Sequence, residues 1–183
     1  VPHTVTIPEG YRITEIAALL QEQGLADPDT FLRLTQDKDL ILSLGIPTDT
    51  LEGYLFPETY HFSKFTPETK IIRTMVDTFK EQISNAQLMQ SAKESPLSWH
   101  EIITLASLIE KETGLDSERK MISSVFHNRL RKNMRLQTDP TVIYAIEQFD
   151  GNIRKRNLKI DSPYNTYKYK GLPPGPIASP GIK

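Results

Sequence analysis

Apolar positions along the chain recur mostly at helical spacing. Thr4 to Ile7 alternate as a strand does, Pro8-Glu9-Gly10 makes a turn, and Ile13, Ile16, Ala17 and Leu20 then follow the helical period up to Gly24. Asp27-Pro28 sets a cap residue before a first-turn proline and opens a helix through Phe31, Leu32 and Leu34. Between Ile46 and Pro67 the period breaks into aromatics around Pro57, which predicts short strands and a loop. Thr66-Pro67 again reads as a cap and a first-turn proline, and Ile72, Met75, Val76, Phe79 and Ile83 draw one apolar stripe over more than three turns.

Further on, Ser98-x-x-Glu101 is a capping box, and the helix it opens runs from Trp99 to Thr113, with Gly114 placed to end it. A second helix follows from Asp116 or Ser117 through Met121, Ile122, Val125, Phe126 and Leu130. A third starts at Asp139-Pro140 and carries Val142, Ile143 and Ile146 to about Gln148. Beyond Gly151 the density of Pro and Gly, above all over 172–181, forbids regular elements. The expected fold is α+β, mostly helical with short strands.

Composition changes this picture little. The 183 residues, 38% of them hydrophobic and 25% charged, are those of an ordinary globular protein. The absence of Cys removes disulfides, zinc ribbons, iron–sulfur clusters and cysteine nucleophiles together. Charge is more telling: residues 1–116 hold 9 basic against 18 acidic residues, and residues 117–183 hold 13 against 5. The basic part predicts either a polyanionic partner or a face complementary to the acidic part.

No apolar run reaches the length of a membrane span, and nothing resembles a signal peptide. There is no G-x-S-x-G elbow, no P-loop, no G-x-G-x-x-G and no H-E-x-x-H. His3, His61, His100 and His127 stand far apart, and none has metal-ligand spacing. No metal or cofactor is expected.

What remains is carboxylates in an apolar helix. At about 100° per residue, Glu110 falls about 20° from Ile103, and Glu112 falls between Leu105 and Leu108. Lys111 shares a polar side with His100, Thr104 and Ser107. A carboxyl against apolar walls has its acid form favoured, as a general acid requires. The competing reading pairs either Glu with an Arg of the next helix, and the wheel does not choose between Glu110 and Glu112. Two residues apart on a helix point in very different directions, so these two are not a glycosidase carboxylate pair.

Several motifs now stand in order: Glu52-Gly53-Tyr54-Leu55-Phe56-Pro57-Glu58-Thr59-Tyr60, Ala106-Ser107-Leu108-Ile109-Glu110-Lys111-Glu112-Thr113 and Ser124-Val125-Phe126-His127-Asn128-Arg129-Leu130. After them come Met134-Arg135-Leu136-Gln137-Thr138-Asp139-Pro140-Thr141-Val142-Ile143-Tyr144, Tyr164-Asn165-Thr166-Tyr167 and Gly171-Leu172-Pro173-Pro174-Gly175-Pro176-Ile177. Together they resemble the YceG-like endolytic murein transglycosylases (MltG), from about residue 5 to the end.

The resemblance implies a peptidoglycan-cleaving enzyme, with glycan strands as substrate and peptidoglycan synthases as candidate partners. It implies an anchor by an N-terminal transmembrane helix on the outer face of the cytoplasmic membrane, periplasmic in a Gram-negative cell. Residues 1–45 would be the latter part of a LysM-like module and 46–183 the catalytic domain. The family continues past Pro180-Gly181, so that domain reads as truncated. The catalytic helix would line a lysozyme-like groove, walled by segment 54–60 and the loops around 137 and 165.

The family's catalytic acid/base, the first Glu of the E-K-E-T motif, falls on Glu110. Tyr54, Tyr60, Tyr144 and Tyr167 either stack on sugar rings or pack in the core. Glu58 is the leading second polar group. Gln137 and Thr138 contact substrate or shape their turn. Asp139 reads first as a helix N-cap and second as a site group, and Asn165 bonds an N-acetyl group or caps its own turn.

Two rival readings remain. One is a glycan-binding module without catalysis. The other takes the helix pair over 98–132 as a helix-turn-helix; its basic residues lie at and beyond the C-terminal end of the second helix, where bases are not read, so no nucleic-acid partner is expected.

Overall fold

The computed structural model describes residues 2–182. These fall into two compact units, one of residues 2–96 with Ala178–Ile182 and the other Leu97–Ile177. The boundary expected at 45/46 lies inside the first unit.

In the first unit, β1 (Pro2–Thr6) pairs antiparallel with β2 (Thr59–Ser63), in register from Pro2 opposite Ser63 to Thr6 opposite Thr59. Around this ribbon lie α1 (Ile13–Glu22), α2 (Pro28–Leu34), α3 (Lys38–Ser43), α4 (Glu68–Ile83) and α5 (Ala86–Glu94). The class is α+β, as the patterning predicts. Ile16 and Leu20 of α1, Phe31, Ile41, Leu51, Leu55, and Ile71, Ile72 and Met75 of α4 form the buried core. Each such side chain contributes about 1.5–3 kcal/mol by leaving water. Asp27 caps α2 through the Thr30 amide at 2.8 Å, and buried Glu52 reaches across the unit to accept from the first amide of α1, Ile13, at 3.0 Å.

Two details differ from the sequence reading. Thr66 does not cap α4; its hydroxyl donates to the Ser63 carbonyl, and the helix begins beyond Pro67. Helices α3 and α5 stand where no helix was expected, the first capped by Asp37 and the second by Asn85.

The second unit is built on α6 (Trp99–Glu112), which packs against α7 (Asp116–Arg131) and α8 (Asp139–Ala145). The capping box forms as predicted: the Ser98 hydroxyl accepts from the Glu101 amide, and the Glu101 carboxylate accepts from the Ser98 amide at 2.8 Å. Leu105 and Leu108 of α6, Phe126, Leu136 and Ile177 make its core. Leu108 is fully buried and fixes the rotation of α6, and truncating it to Ala would cost about 2–5 kcal/mol. Helix α8 stops at Ala145, short of the expected Gln148.

The side of α6 that reads as polar is also covered. Thr104 and Ser107 are buried, and the Ser107 hydroxyl accepts from the Ile177 amide at 3.0 Å while donating to the Thr104 carbonyl. His100 bonds the Pro174 carbonyl through Nε2 at 2.8 Å. Residues 174–177 thus lie along α6, with the Pro174 carbonyl and the Ile177 amide satisfied by His100 and Ser107.

Candidate functional site

The last turn of α6 carries both candidate carboxylates, and each has its own partner. Glu110 receives both terminal nitrogens of Arg119, at 2.9 and 3.0 Å, with side-chain exposures of 7% for Glu110 and 14% for Arg119. Arg119 stands on the first turns of α7, where its Nε also lies 3.2 Å from the exposed carboxylate of Asp116. Two parallel charge-assisted bonds hold the Glu110 carboxylate in one plane. The Arg from the next helix, one of the two sequence alternatives, is therefore present.

Glu112 is exposed and turns the other way, accepting from the Thr138 hydroxyl at 2.5 Å. The two carboxylates thus have separate partners.

Thr138 belongs to a buried hydroxyl cluster with Thr141 and Thr166. The Thr138 amide donates to Thr166 Oγ1 at 3.1 Å, the Thr141 and Thr166 hydroxyls meet at 2.8 Å, and the Gln137 amide donates to the Thr166 carbonyl. Gln137 has φ +53°, a left-handed backbone that L side chains rarely adopt, and its side chain is exposed. Arg129 of α7 closes the turn by donating to the Leu136 carbonyl.

Asp139 is the first residue of α8 and does not cap it; the cap position is held by Thr138, whose side chain makes no capping bond. The Asp139 carboxylate instead accepts from the Tyr167 hydroxyl at 2.6 Å. The Tyr167 phenol is pushed up to about 12, first by burial, then by its bond to Asp139 and the negative charges of Asp139 and Glu112, with Arg129 opposing. It is therefore a neutral donor throughout the physiological range.

Asn165 is fully buried and its amide is committed to its own turn: Nδ2 donates to the Leu158 and Ile160 carbonyls, and Oδ1 accepts from the Tyr167 amide. That is the turn-capping alternative, and the same bonds hold Tyr167 in place. Tyr144 is half-buried with its ring 4.8 Å from that of Tyr164.

The second unit thus gathers Glu110, Gln137, Thr138, Asp139, Tyr144, Asn165 and Tyr167, whereas Tyr54, Glu58 and Tyr60 belong to the first. Tyr54 is 4% exposed with its ring edge-on to Phe79, and Tyr60 is 5% exposed and donates to the Phe56 carbonyl. Neither offers a free stacking face, and burial pushes both phenols up to about 12. Glu58 is exposed, with one carboxylate oxygen on the Thr59 amide.

Arg119, Arg129, Thr141 and Thr166 were not singled out individually from the sequence. For Arg119 a signal existed, since it stands early in the helix that follows Glu110. For the threonines there was none. Among the described residues no cluster of His, Cys, Asp and Glu has the arrangement of a metal site.

Residues 1–183 match the YceG-like family. The chain is 38% identical to the endolytic murein transglycosylase of Bacillus subtilis (strain 168), over 97% of this chain and 53% of that protein. It is 35% identical to the endolytic murein transglycosylase of Streptococcus pneumoniae serotype 2, over 98% of this chain and 37% of that protein. A crystal structure of a yceG-like protein from Listeria monocytogenes superposes with a TM-score of 0.89 at 37% identity, covering 99% of this chain and 64% of that one. The chain therefore spans about half or less of the length of these two named relatives.

Proposed function

Since the chain belongs to the YceG-like family, we propose that it is the peptidoglycan-cleaving part of an endolytic lytic transglycosylase, with Glu110 as its single acid/base. The observation that carries this reading is the likeness, along nearly the whole chain, to relatives bearing that name. The substrate is the β-1,4 bond between N-acetylmuramic acid and N-acetylglucosamine within a glycan strand.

Hydrolysis by inversion or retention needs a second carboxylate beside the acid. The geometry gives Glu112 and Asp139 other bonds. A single Glu suffices if it protonates the glycosidic oxygen as the C1–O bond breaks, then takes the proton of the C6 hydroxyl as O6 bonds C1 of the same muramic residue. Proximity within the substrate supplies the nucleophile, and the product ends in 1,6-anhydro-N-acetylmuramic acid. Arg119 holds both Glu110 oxygens as they stand after the first proton has left. Protonation removes the charge that Arg119 pairs with and leaves Glu110 with one O–H that must point away from the guanidinium, so the contact weakens in the acid step.

Gln137, Asp139 and Tyr167 are the groups best placed to contact sugar, exposed or half-buried on one turn and its neighbour. The basic surplus of residues 117–183 would attract the carboxylates of stem peptides. We read residues 1–45 as the latter part of a LysM-like module and the working place as the outer face of the cytoplasmic membrane. No helix among the described residues is long and apolar enough to cross a membrane.

The test is the mass of the products from purified, peptide-bearing strands. Anhydro ends, about 18 mass units below the hydrolytic end because a water is never added, support the reading, and reducing ends labelled from heavy water overturn it. A second reading, glycan binding without cleavage, is favoured by the low exposure of Glu110 and its closure by Arg119. It predicts strand binding with no product.

A further inference from the structure

We propose that Glu112 is a positioning residue, acting through Thr138 to hold the 137–139 turn in the shape that presents Gln137 and Asp139 to a glycan. This rests on the reading of that turn as part of the glycan site. Glu112 is the last residue of α6 and is exposed, where a carboxylate ordinarily stays in water. Here it accepts a 2.5 Å bond from a hydroxyl whose residue is only 2% exposed. Such a bond lies at the short end of the charge-assisted range.

The hydroxyl is the informative partner. Thr138 stands at the N-cap of α8, where a threonine side chain ordinarily accepts from an amide of the first turn. It makes no such bond, so the helix forgoes its cap and the hydroxyl serves Glu112 instead.

The backbone departs from local preference at the same place. Gln137, one residue earlier, sits at φ +53°, held there by its amide bond to the Thr166 carbonyl and by the Thr138–Thr166 contact. Strained backbone of this kind persists only where surroundings over-determine it, and it clusters at sites that present groups to ligands. A lost cap and a left-handed residue in adjacent positions, both tied to neighbouring elements, mark a turn shaped for something other than stability. With Thr138 pinned inward, Gln137 and Asp139 on either side of it face solvent. The Tyr167 hydroxyl then sets the Asp139 carboxylate. Glu112 thus orients the turn from behind and is not itself a catalytic residue.

The test measures Kd for purified peptide-bearing glycan strands in a Glu110→Gln background, so that no strand is consumed. Glu112→Ala and Thr138→Val should each weaken binding about tenfold, the scale of one hydrogen bond to a charged group. The double variant should lose no more than either single, because both break one link. Glu112→Gln and Thr138→Ser, which restore an acceptor and a hydroxyl, should recover most of the loss. Amide exchange at Gln137 and Thr138 should quicken in the Ala and Val variants only; a merely less stable protein would instead show faster exchange throughout the unit. Single variants that bind like their parent, or losses that multiply in the double, overturn the proposal while leaving the glycan reading intact. A Glu110→Gln parent that binds no strand removes that reading and this proposal with it.

Discussion

Replacing Arg119 by Met tests how firmly Glu110 is held. The change keeps much of the aliphatic stem and strips both guanidinium contacts from a carboxylate that is 7% exposed. Taking one partner out of a buried ion pair costs about 3–5 kcal/mol, because the remaining charge has lost that counter-charge away from water. The lower end, about 3 kcal/mol, fits here, since Arg119 itself is 14% exposed and water can reach the gap. For a chain of this size each kcal/mol moves Tm by about 2–4 °C, giving a fall of about 6–12 °C. Trp99 is the only tryptophan and the first residue of α6, so its fluorescence follows unfolding of the unit that carries the pair. Adding Glu110→Gln to Arg119→Met removes the carboxylate charge as well and should restore part of the loss. A single variant that melts within about 2 °C of the wild type, or a double variant that melts lower still, would refute the argument that the pair is buried and coupled.

Glu110→Gln should abolish release of anhydro-ended fragments while near-UV circular dichroism stays native, because an amide keeps the volume but delivers no proton; Glu112→Gln should lose far less, and equal losses would move Glu110 to a structural role. Tyr54, Tyr60 and Tyr167 each have a phenol raised to about 12 in the folded state, above the ordinary 10. Between those values the folded chain binds more protons than the unfolded one, so their contribution is complete below pH 10 and is lost as pH rises to 12, steepening alkaline unfolding. A stability curve flat over that window, followed by fluorescence and circular dichroism, would contradict their burial. Ser98→Ala removes one half of the α6 capping box and should lower stability by about 1 kcal/mol, seen as a fall of about 2–4 °C in Tm.

What could be read from sequence follows the range of the forces involved. Helices α1, α2, α4, α6 and α7 announce themselves because an apolar stripe or a cap acts within a few residues of the chain it organises. Helix α5 buries no residue, so there was no stripe to see. Helix α3 is only six residues long, too short to show a periodic stripe, and its one local signal is the Asp37 cap. The β1–β2 pairing joins residues more than fifty apart, and alternation in one strand names no partner. At the candidate site, Glu110 and Glu112 both stood out as carboxylates amid apolar spacing, and only the resemblance to the family favoured Glu110 over Glu112. The Thr138, Thr141 and Thr166 cluster was invisible, since three hydroxyls become a network only when the start of α8 meets the loop that carries Thr166. Asp139 misled for the same reason: Asp before Pro is a local cap signal, and a phenol 28 residues away outcompetes it.

Residues 178–182 belong to the first unit although the chain reaches them only after completing the second. The Gly10 amide donates to the Ser179 carbonyl and the Ser179 amide to the Tyr11 carbonyl, both at 2.8 Å. On a ribosome, these groups at residues 10 and 11 are made early and wait in water until residue 179 emerges, long after the helices of their own unit have been released. Closing so long a loop adds little entropic penalty over a shorter one, about 0.6 kcal/mol per doubling of length, so the delay is one of timing. Ala178 and Ser179 are fully buried once in place. A nascent chain halted before them would carry an unfilled slot beside residues 10 and 11, and release of residues 178–182 is the step that fills it.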